Sequence, residues 1–446
     1  MKKWLCMLVC CLSVYVQAQV WTLKEKEPAA PGTWGCFRNT VTLDEQPRSL
    51  ELRLAADTKY WLWVNGELQV SEGGLKRGPN PLDTYCDVIT SLPALRAGEN
   101  TVALLVWYFG KDGFSHRNSS TAGISFSLSC NGKEVEPDAK WRVKKHPAYY
   151  VPQGEQPNYR LAESNIGFDA VKDIPFMSPE YNDKKWKEAT EISLEKAGWN
   201  QLVDRPIPFW KDYGLKPYAK TEMQGDTLLR AYLPYNAQIT PYIRLKAPAG
   251  KCIRIRTDNY RGGSATNVFA EYRTCEGKQM FECKGWMNGH YVQYELPEGV
   301  EVLDVKYRET GYDTSFAGSF SCDDPMLTRL WDKSQRTLYI TMRDTYMDCP
   351  DHDAYDYRSL SLLAASDRLQ HGSRVIEPRL NKGDIVISDR YFYSCLANLR
   401  ARGFENDDWI YEIARAVMKP DAAFFFDVPV ETAVKRVRSR AAEKNR

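Results

Sequence analysis

The side chains whose types and spacing invite chemistry cluster in Asp344-Thr345-Tyr346-Met347-Asp348-Cys349-Pro350-Asp351 and in the His352-Asp353-Ala354-Tyr355-Asp356-Tyr357-Arg358 run that follows. A carboxylate such as Asp348 accepts hydrogen bonds from a hydroxyl, which makes it the candidate catalytic group of the chain. Aromatic rings offer flat apolar faces on which the C–H groups of a ligand can stack. Trp61, Trp63, Trp107, Tyr108, Trp286 and Tyr291 are the rings on offer. Strand alternation turns one face of each strand inward, so most of these rings are expected in the core and few against a ligand.

The composition bounds what must position these groups. The 446 residues, 43% hydrophobic and 12% aromatic, suffice for two to four globular domains. A formal net charge of +2 and the lack of a long basic block exclude nucleic acid or an anionic membrane as the main partner. Met1-Lys2-Lys3, an apolar run from Trp4 to Val16, and Val16-Gln17-Ala18 have the layout of an export signal over residues 1–18. The run is shorter than a spanning helix needs, so no stable membrane insertion is expected after cleavage, and the mature chain is expected in the periplasm or outside the cell. Three of the twelve cysteines lie within that signal, and the rest form no C-x-x-C pairs, so no metal site is expected. Cys275 and Cys283 are spaced to bridge a hairpin.

Before the acidic stretch the chain reads as β-sandwich. Ser49–Leu54, Tyr60–Val64, Tyr85–Ile89 and Thr101–Tyr108 are short runs of strand formers, with Asn65-Gly66 as a type I′ hairpin signal and Ala97-Gly98-Glu99-Asn100 as a further turn. Ala231–Leu233, Tyr242–Leu245, Ile253–Thr257 and Tyr291–Glu295 continue the pattern, with turns at Pro248-Ala249-Gly250 and Arg261-Gly262-Gly263. At Asp324 the period changes. Asp324 is set to cap a helix that has Pro325 at its first position and Leu327, Leu330, Trp331, Ser334, Leu338 and Thr341 on one face.

Tyr60-Trp61-Leu62-Trp63-Val64-Asn65-Gly66, Tyr85-Cys86-Asp87-Val88 and Gly98-Glu99-Asn100-Thr101-Val102-Ala103 resemble the jelly-roll modules of bacterial glycosidases. The likeness runs on through Tyr159-Arg160-Leu161-Ala162-Glu163-Ser164 and Tyr181-Asn182-Asp183-Lys184-Lys185-Trp186. With Arg308-Glu309-Thr310-Gly311-Tyr312-Asp313 and Gly318-Ser319-Phe320-Ser321-Cys322-Asp323-Asp324 it resembles the non-catalytic front of a bacterial α-L-rhamnosidase. That resemblance implies that the helix after Asp324 opens an (α/α)6 catalytic barrel and that Asp348-Cys349-Pro350 is the remnant of its catalytic motif. His352 stands where the family has Arg, and the Gly-Trp-x-Gly-Asp stretch of the family occurs nowhere in the chain. The resemblance therefore implies glycan or rhamnoside partners, no cofactor, and no rhamnoside turnover.

Beyond the acidic stretch the pattern is α/β. Leu360–Leu369 and Val375–Leu380 read as helix ending at Gly383, Trp409, Ile410, Ile413 and Val417 form a helix face, and Ile385–Ser388 and Ala422–Val428 read as buried strands. Ala365-Ser366-Asp367-Arg368-Leu369-Gln370-His371, Gly383-Asp384-Ile385-Val386-Ile387-Ser388-Asp389-Arg390-Tyr391 and Pro420-Asp421-Ala422-Ala423-Phe424-Phe425-Phe426-Asp427-Val428-Pro429 resemble thymidylate kinase in order and spacing. The resemblance would bring Arg368 to the thymine of thymidine monophosphate and Asp389 and Arg390 to its phosphate, with ATP and magnesium as the cofactors of an intact kinase. No Gly-x-x-x-x-Gly-Lys-Ser/Thr loop occurs in the chain to cradle the donor phosphates. The expectation is a multidomain, mainly β chain: signal 1–18, β-sandwich modules 19–165 and 166–320, a truncated (α/α)6 barrel start at 321–351, and a partial α/β P-loop-kinase-like segment at 352–446. Such a chain reads as two reading frames joined near Asp348, with a genuine gene fusion as the alternative.

Overall fold

A computed structural model describes residues 18–23, 29–77, 83–261, 266–344, 357–388, 391–393, 400, 408–423, 428–429 and 431–432. The fold is mainly β, and the chain divides into two compact units, Met1–Asp353 and Ala354–Arg446. Among the described residues no helix is long and apolar enough to cross a membrane.

The first unit is a stack of three antiparallel-rich sheets. A six-stranded sheet built on Thr33–Leu43, Gly98–Tyr108 and Lys59–Val64 lies in the middle. On one side Tyr60, Leu62, Val64, Val102, Leu104 and Val106 meet Leu52, Leu54, Ile124, Phe126 and Leu128 of a seven-stranded sheet. On the other, Trp61, Trp63, Ala103, Leu105 and Trp107 meet Leu229, Ile239, Ile243, Leu245, Ile253 and Ile255 of a ten-stranded sheet. A strand buried on both faces cannot alternate polar with apolar, and this is why Tyr60-Trp61-Leu62-Trp63-Val64 is an unbroken apolar run. Each such side chain contributes about 1.5–3 kcal/mol by leaving water. The Asn65-Gly66 turn has φ of 51° and 83°, the left-handed pair that a type I′ hairpin needs. The Asn65 amide then ties the turn to Ala94 O at 2.9 Å and Asn100 Oδ1 at 2.8 Å.

Cys275 and Cys283 are both free thiols, not a bridge. The six residues Gly277–Glu282 between them are fully extended against Leu228–Ala247, which holds the two ends about 20 Å apart, far beyond the reach of a disulfide. Cys283 is turned into the core, where burial pushes its thiol up to about 12.

Helix α1, Pro325–Thr341, starts where the sequence sets it: the Asp324 carboxylate accepts from Met326 N at 2.8 Å and Pro325 is its first residue. Its side chains divide differently from the expected face. Leu327, Trp331 and Leu338 are 46%, 36% and 37% exposed, whereas Thr337, Tyr339, Ile340 and Thr341 are buried at the C-terminal end.

In the second unit the described helices are α2, Tyr357–His371, α3, Glu377–Leu380, and α4, Asp408–Ile413, with Gly383 ending the helical run at φ 83°. Ile385-Val386-Ile387-Ser388 is not a buried strand: it has no regular structure, and Ile385 and Ile387 are 91% and 92% exposed. A strand forms only against neighbours that take up its N–H and C=O groups, and no strand occurs among the described residues of this unit. Ala422 and Ala423 are likewise exposed and irregular, and residues 424–427 of that expected strand lie outside the described residues.

Candidate functional site

The candidate catalytic Asp348, and Asp389 and Arg390, lie outside the described residues. The structure does fix how the chain enters the Asp348 stretch. Helix α1 docks its C-terminal half on the ten-stranded sheet through Arg308-Glu309-Thr310-Gly311-Tyr312 of strand Glu301–Tyr312. Glu309, 3% exposed, accepts from Lys216 Nζ at 2.8 Å, Tyr235 Oη at 3.0 Å and Arg336 Nη2 at 3.2 Å. The Tyr339 ring lies against Gly311, where a Cβ would sit 2.4 Å from the hydroxyl, so only glycine admits it. Tyr339 Oη is bonded to Tyr213 Oη at 2.8 Å, and Arg336 donates to Asn236 O. The Gln238 amide caps the helix end by donating to Ile340 O at 2.8 Å and Met342 O at 3.2 Å. The motif that resembles a family signature is thus, physically, the landing strip of a helix.

Two buried charges of opposite sign follow. The Arg343 guanidinium lies between the rings of Trp210 at 4.6 Å and Trp286 at 4.7 Å, pairs with the buried Glu72, and donates to Gln238 Oε1 at 2.6 Å. Thr310 Oγ1 takes a further bond at 3.3 Å. Asp344 accepts from Lys59 Nζ at 2.6 Å and Lys76 N at 3.2 Å, and Lys76 in turn meets Glu163 at 2.6 Å. Burial alone would raise the Asp344 carboxyl, but Lys59, Lys76 and Arg343 hold it well below the usual carboxylate range. A carboxylate so locked stays ionised and cannot give a proton to a leaving oxygen. This network therefore fixes the backbone at Arg343 and Asp344 and does no acid–base chemistry itself.

A second polar cluster joins Ser119, Asp57 and His116. These are the residue types of a hydrolytic triad in the wrong order of contact. Ser119 Oγ donates directly to Asp57, while His116 Nδ1 accepts from Arg77 N at 3.1 Å and its Nε2 stands 3.9 Å from Asp57. Histidine that does not touch the serine cannot take its proton. The cluster ties loops together.

Of the six candidate sugar-stacking rings, Trp61, Trp63, Trp107 and Tyr108 are buried; Trp34 stacks on Trp61 at 5.4 Å and on Trp107 at 4.9 Å. Trp286 is covered by Arg343. Tyr291 lies in strand Met287–Glu295, half-buried beside Tyr232 with centroids 5.4 Å apart. Sequence reasoning missed Glu72, Lys59, Trp210 and Arg343. Lys59, a charge heading an all-apolar run, was the signal that a buried partner waited for it.

In the second unit Arg368 is half-buried on α2 and pairs with Asp367. It lies within electrostatic reach of Tyr391, the residue after Asp389-Arg390, whose hydroxyl burial pushes up and Arg368 pulls back. Tyr391 Oη donates to Met418 O at 2.9 Å.

Comparisons with known proteins find different relatives for the two ends of the chain. Residues 340–446 match the family profile of thymidylate kinase. A probable thymidylate kinase of Thermococcus kodakarensis is 46% identical over 80 residues, 18% of this chain and 38% of that protein. A thymidylate kinase of Lactobacillus helveticus is 30% identical over 161 residues, 34% of this chain and 69% of its own, and one of Staphylothermus marinus 36% over 155 residues, 33% and 68%. This chain spans about two fifths of the length of the first curated relatives it matches, 38% to 43%. Among solved structures, a rhamnosidase of Bacillus sp. GL1 superposes with a TM-score of 0.64 at 15% identity, covering 80% of this chain and 61% of that one. An α-L-rhamnosidase of Aspergillus terreus gives 0.60 at 17%, covering 80% and 43%. At such identities the likeness is one of fold.

Proposed function

This chain belongs, through its C-terminal residues, to the thymidylate kinase family, and its larger first unit carries a rhamnosidase fold; from that premise we propose that the working part is the first unit. It is an exported, carbohydrate-associated protein of α-L-rhamnosidase ancestry that binds glycans without cleaving them. The three-sheet stack that follows rhamnosidases over 80% of the chain carries this reading. The absence of turnover rests on chemistry: inverting cleavage needs an acid and a base about 6.5–9.5 Å apart, the sequence offers no partner for Asp348, and the neighbouring Asp344 is locked in ion pairs. Export rests on the Met1–Ala18 pattern. Calorimetry with rhamnose-containing oligosaccharides should show binding, and an aryl α-L-rhamnoside should release no more phenol than with the Asp348→Asn variant. Release that depends on Asp348, or no binding to any rhamnosyl glycan, would sink the proposal.

Arg368 beside Tyr391 favours a second reading, a residual thymidine monophosphate site in the second unit. A rise in melting temperature with millimolar thymidine monophosphate, against none with ATP and magnesium, is its expected signature; a flat response removes it. Phosphoryl transfer is not part of that reading, because nothing in the chain holds the donor phosphates in a Gly-rich loop. The family match beginning at residue 340 and the unit boundary at Asp353 support two reading frames joined near Met347–Arg358, since natural fusions fall in linkers. Long reads across those codons in the source DNA decide it.

A further inference from the structure

Helix α1 turns a bare apolar stripe away from the sheet it docks on. At about 100° per residue, Leu327, Trp331, Ser334 and Leu338 fall within about 60° of one another, while Arg336, which donates to Asn236 O, and the buried Ile340 fall on the opposite side. The charged residues of the helix, Arg329, Asp332, Lys333 and Arg336, all stand off the stripe. The irregular segment 313–324 lines one flank. Gln335 Nε2 donates to Gly318 O at 3.0 Å, Phe320 lies against Trp331 with centroids 5.9 Å apart, and Phe316 lies against Tyr339 at 6.5 Å. Leu327, Trp331, Leu338, Phe316 and Phe320 are each more than one third exposed. Together they present about 400 Å² of apolar surface, the size at which an exposed patch marks an interaction site.

The chemistry of this ridge selects its occupant. A sugar needs hydrogen-bonding groups beside its stacking ring, and Trp331 is bordered by leucines and Phe320. An anionic membrane needs a basic border, and Asp323, Asp324 and Asp332 offset Arg329 and Lys333. What the stripe does match is itself. Its spacing of 4, 3 and 4 residues is that of a two-helix seam. Two copies of α1 laid antiparallel put Leu327 opposite Leu338 and Trp331 opposite Ser334, each pair occurring twice about a two-fold axis. The small Ser334 leaves the room that an indole needs, and an uncharged, aromatic-rich centre is the composition of an interface core. We propose that α1 is a homodimerisation element, through which two copies of this chain pair antiparallel along Leu327, Trp331, Ser334 and Leu338, with Phe320 at the border. The ridge supplies most of the apolar share of the ~800 Å² that each partner of a standard interface buries. The dimer is reversible, with a dissociation constant on the order of 10 μM.

The test is sedimentation equilibrium of the full chain over concentrations about tenfold to either side of that constant. The unaltered chain should pass from monomer to dimer across the range. Leu327→Lys and Leu338→Glu each bury a charge in the seam, and each variant alone should stay monomeric at the highest concentration. Mixing the two should restore a dimer, because the introduced lysine and glutamate then face each other at one end of the seam and the unchanged leucines face each other at the other. Arg329→Gln, on the side of the helix away from the seam, should leave association as it was. Melting temperatures unchanged well below the dissociation constant show that the variants are folded. Monomer at every concentration, or association that neither charged variant weakens, overturns the proposal. Loss in both variants without rescue on mixing overturns the antiparallel pairing. Flotation of the unaltered chain with neutral phosphatidylcholine vesicles, lost in the same two variants, makes the ridge a lipid contact and overturns the dimer as well.

Discussion

The two units of this chain carry comparable local signals and reach different ends. In the first, strand patterns meet strands, and three sheets bury two large cores between them. In the second, Ile385-Val386-Ile387 is as good a strand by composition as Leu228-Leu229 or Ile253, and it stands in solvent. The buried side chains described there are few: Ala365, Ile376, Ala414 and Val417. The difference teaches that an apolar run of strand formers states only a need. Whether it folds depends on a second surface of matching need elsewhere in the chain.

The largest expected effect follows directly. Amide hydrogen exchange should protect Lys59–Val64 and Gly98–Tyr108 by at least about 10⁴-fold, the protection that ~5 kcal/mol of opening free energy confers, while Asp384–Ser388 exchanges at nearly the rate of an unstructured peptide. Comparable protection in both segments would break the comparison outright.

Next in size is the anchor of the first unit. Arg343→Met takes the guanidinium from between the rings of Trp210 and Trp286 and leaves the buried Glu72 with Lys59, 3.9 Å away, as its remaining cation, and should cost about 3 kcal/mol in urea unfolding followed by tryptophan fluorescence. Adding Glu72→Gln should recover about 1 kcal/mol, because the buried carboxylate that has lost its nearer partner is then gone. A single-variant cost below about 1 kcal/mol would mean that the link from α1 toward Asp348 is loose, and the contrast between the units would soften.

How far the sequence foretold this depends on the range of the interaction. The Asn65-Gly66 hairpin and the Asp324-Pro325 helix start are local, decided within four residues, and both were legible. So was the burial of most of the tryptophans. The exposed face of α1 and the exposure of Ile385 were not legible, because periodicity says which side is apolar and nothing about whether a partner covers it. Glu72 and Arg343 are 271 positions apart, and only the register of the sheets brings them together. The Cys275–Cys283 spacing suggested a bridge because sequence distance stood in for geometry, and an extended strand defeats that substitution.

Acid should sharpen the contrast further. His146 is buried in the first unit with Nδ1 accepting from Ala148 N at 3.2 Å, and burial, then Lys144, lowers its pKa from 6.5 to about 4. Below pH 6.5 the unfolded chain takes a proton that the folded chain refuses, so stability is lost as the pH falls from about 6.5 to about 4, by about 2–3 kcal/mol. His116, lowered mainly by burial, adds a loss of the same sign. The depressed Asp344 acts later, its contribution being lost only below its unfolded value of 3.8. The melting temperature of the first unit should therefore fall between pH 7 and 4.5, and His146→Gln should flatten that slope. A slope unchanged by the substitution would assign the acid sensitivity elsewhere.

The smallest effect asks to which kind of region α1 belongs, since it is half docked and half bare. Its N-terminal turn carries exposed Met326 and Leu327 and is held chiefly by the Asp324 cap, whereas its last turns are clamped by Glu309, Gln238 and Tyr213. Asp324→Ala should cost about 1 kcal/mol if the whole helix unfolds with the sheets, because a lost cap then weighs on global stability. If the first turns fray independently, as a segment without cover does, the same substitution should leave the global transition unmoved and only speed exchange of the amides from Met326 to Leu330. The second outcome would place the border between covered and uncovered chain inside α1, near Ser334, and not at Asp353. The helix would then be a graded transition between the two behaviours, with burial of each turn setting its stability more than its propensity does.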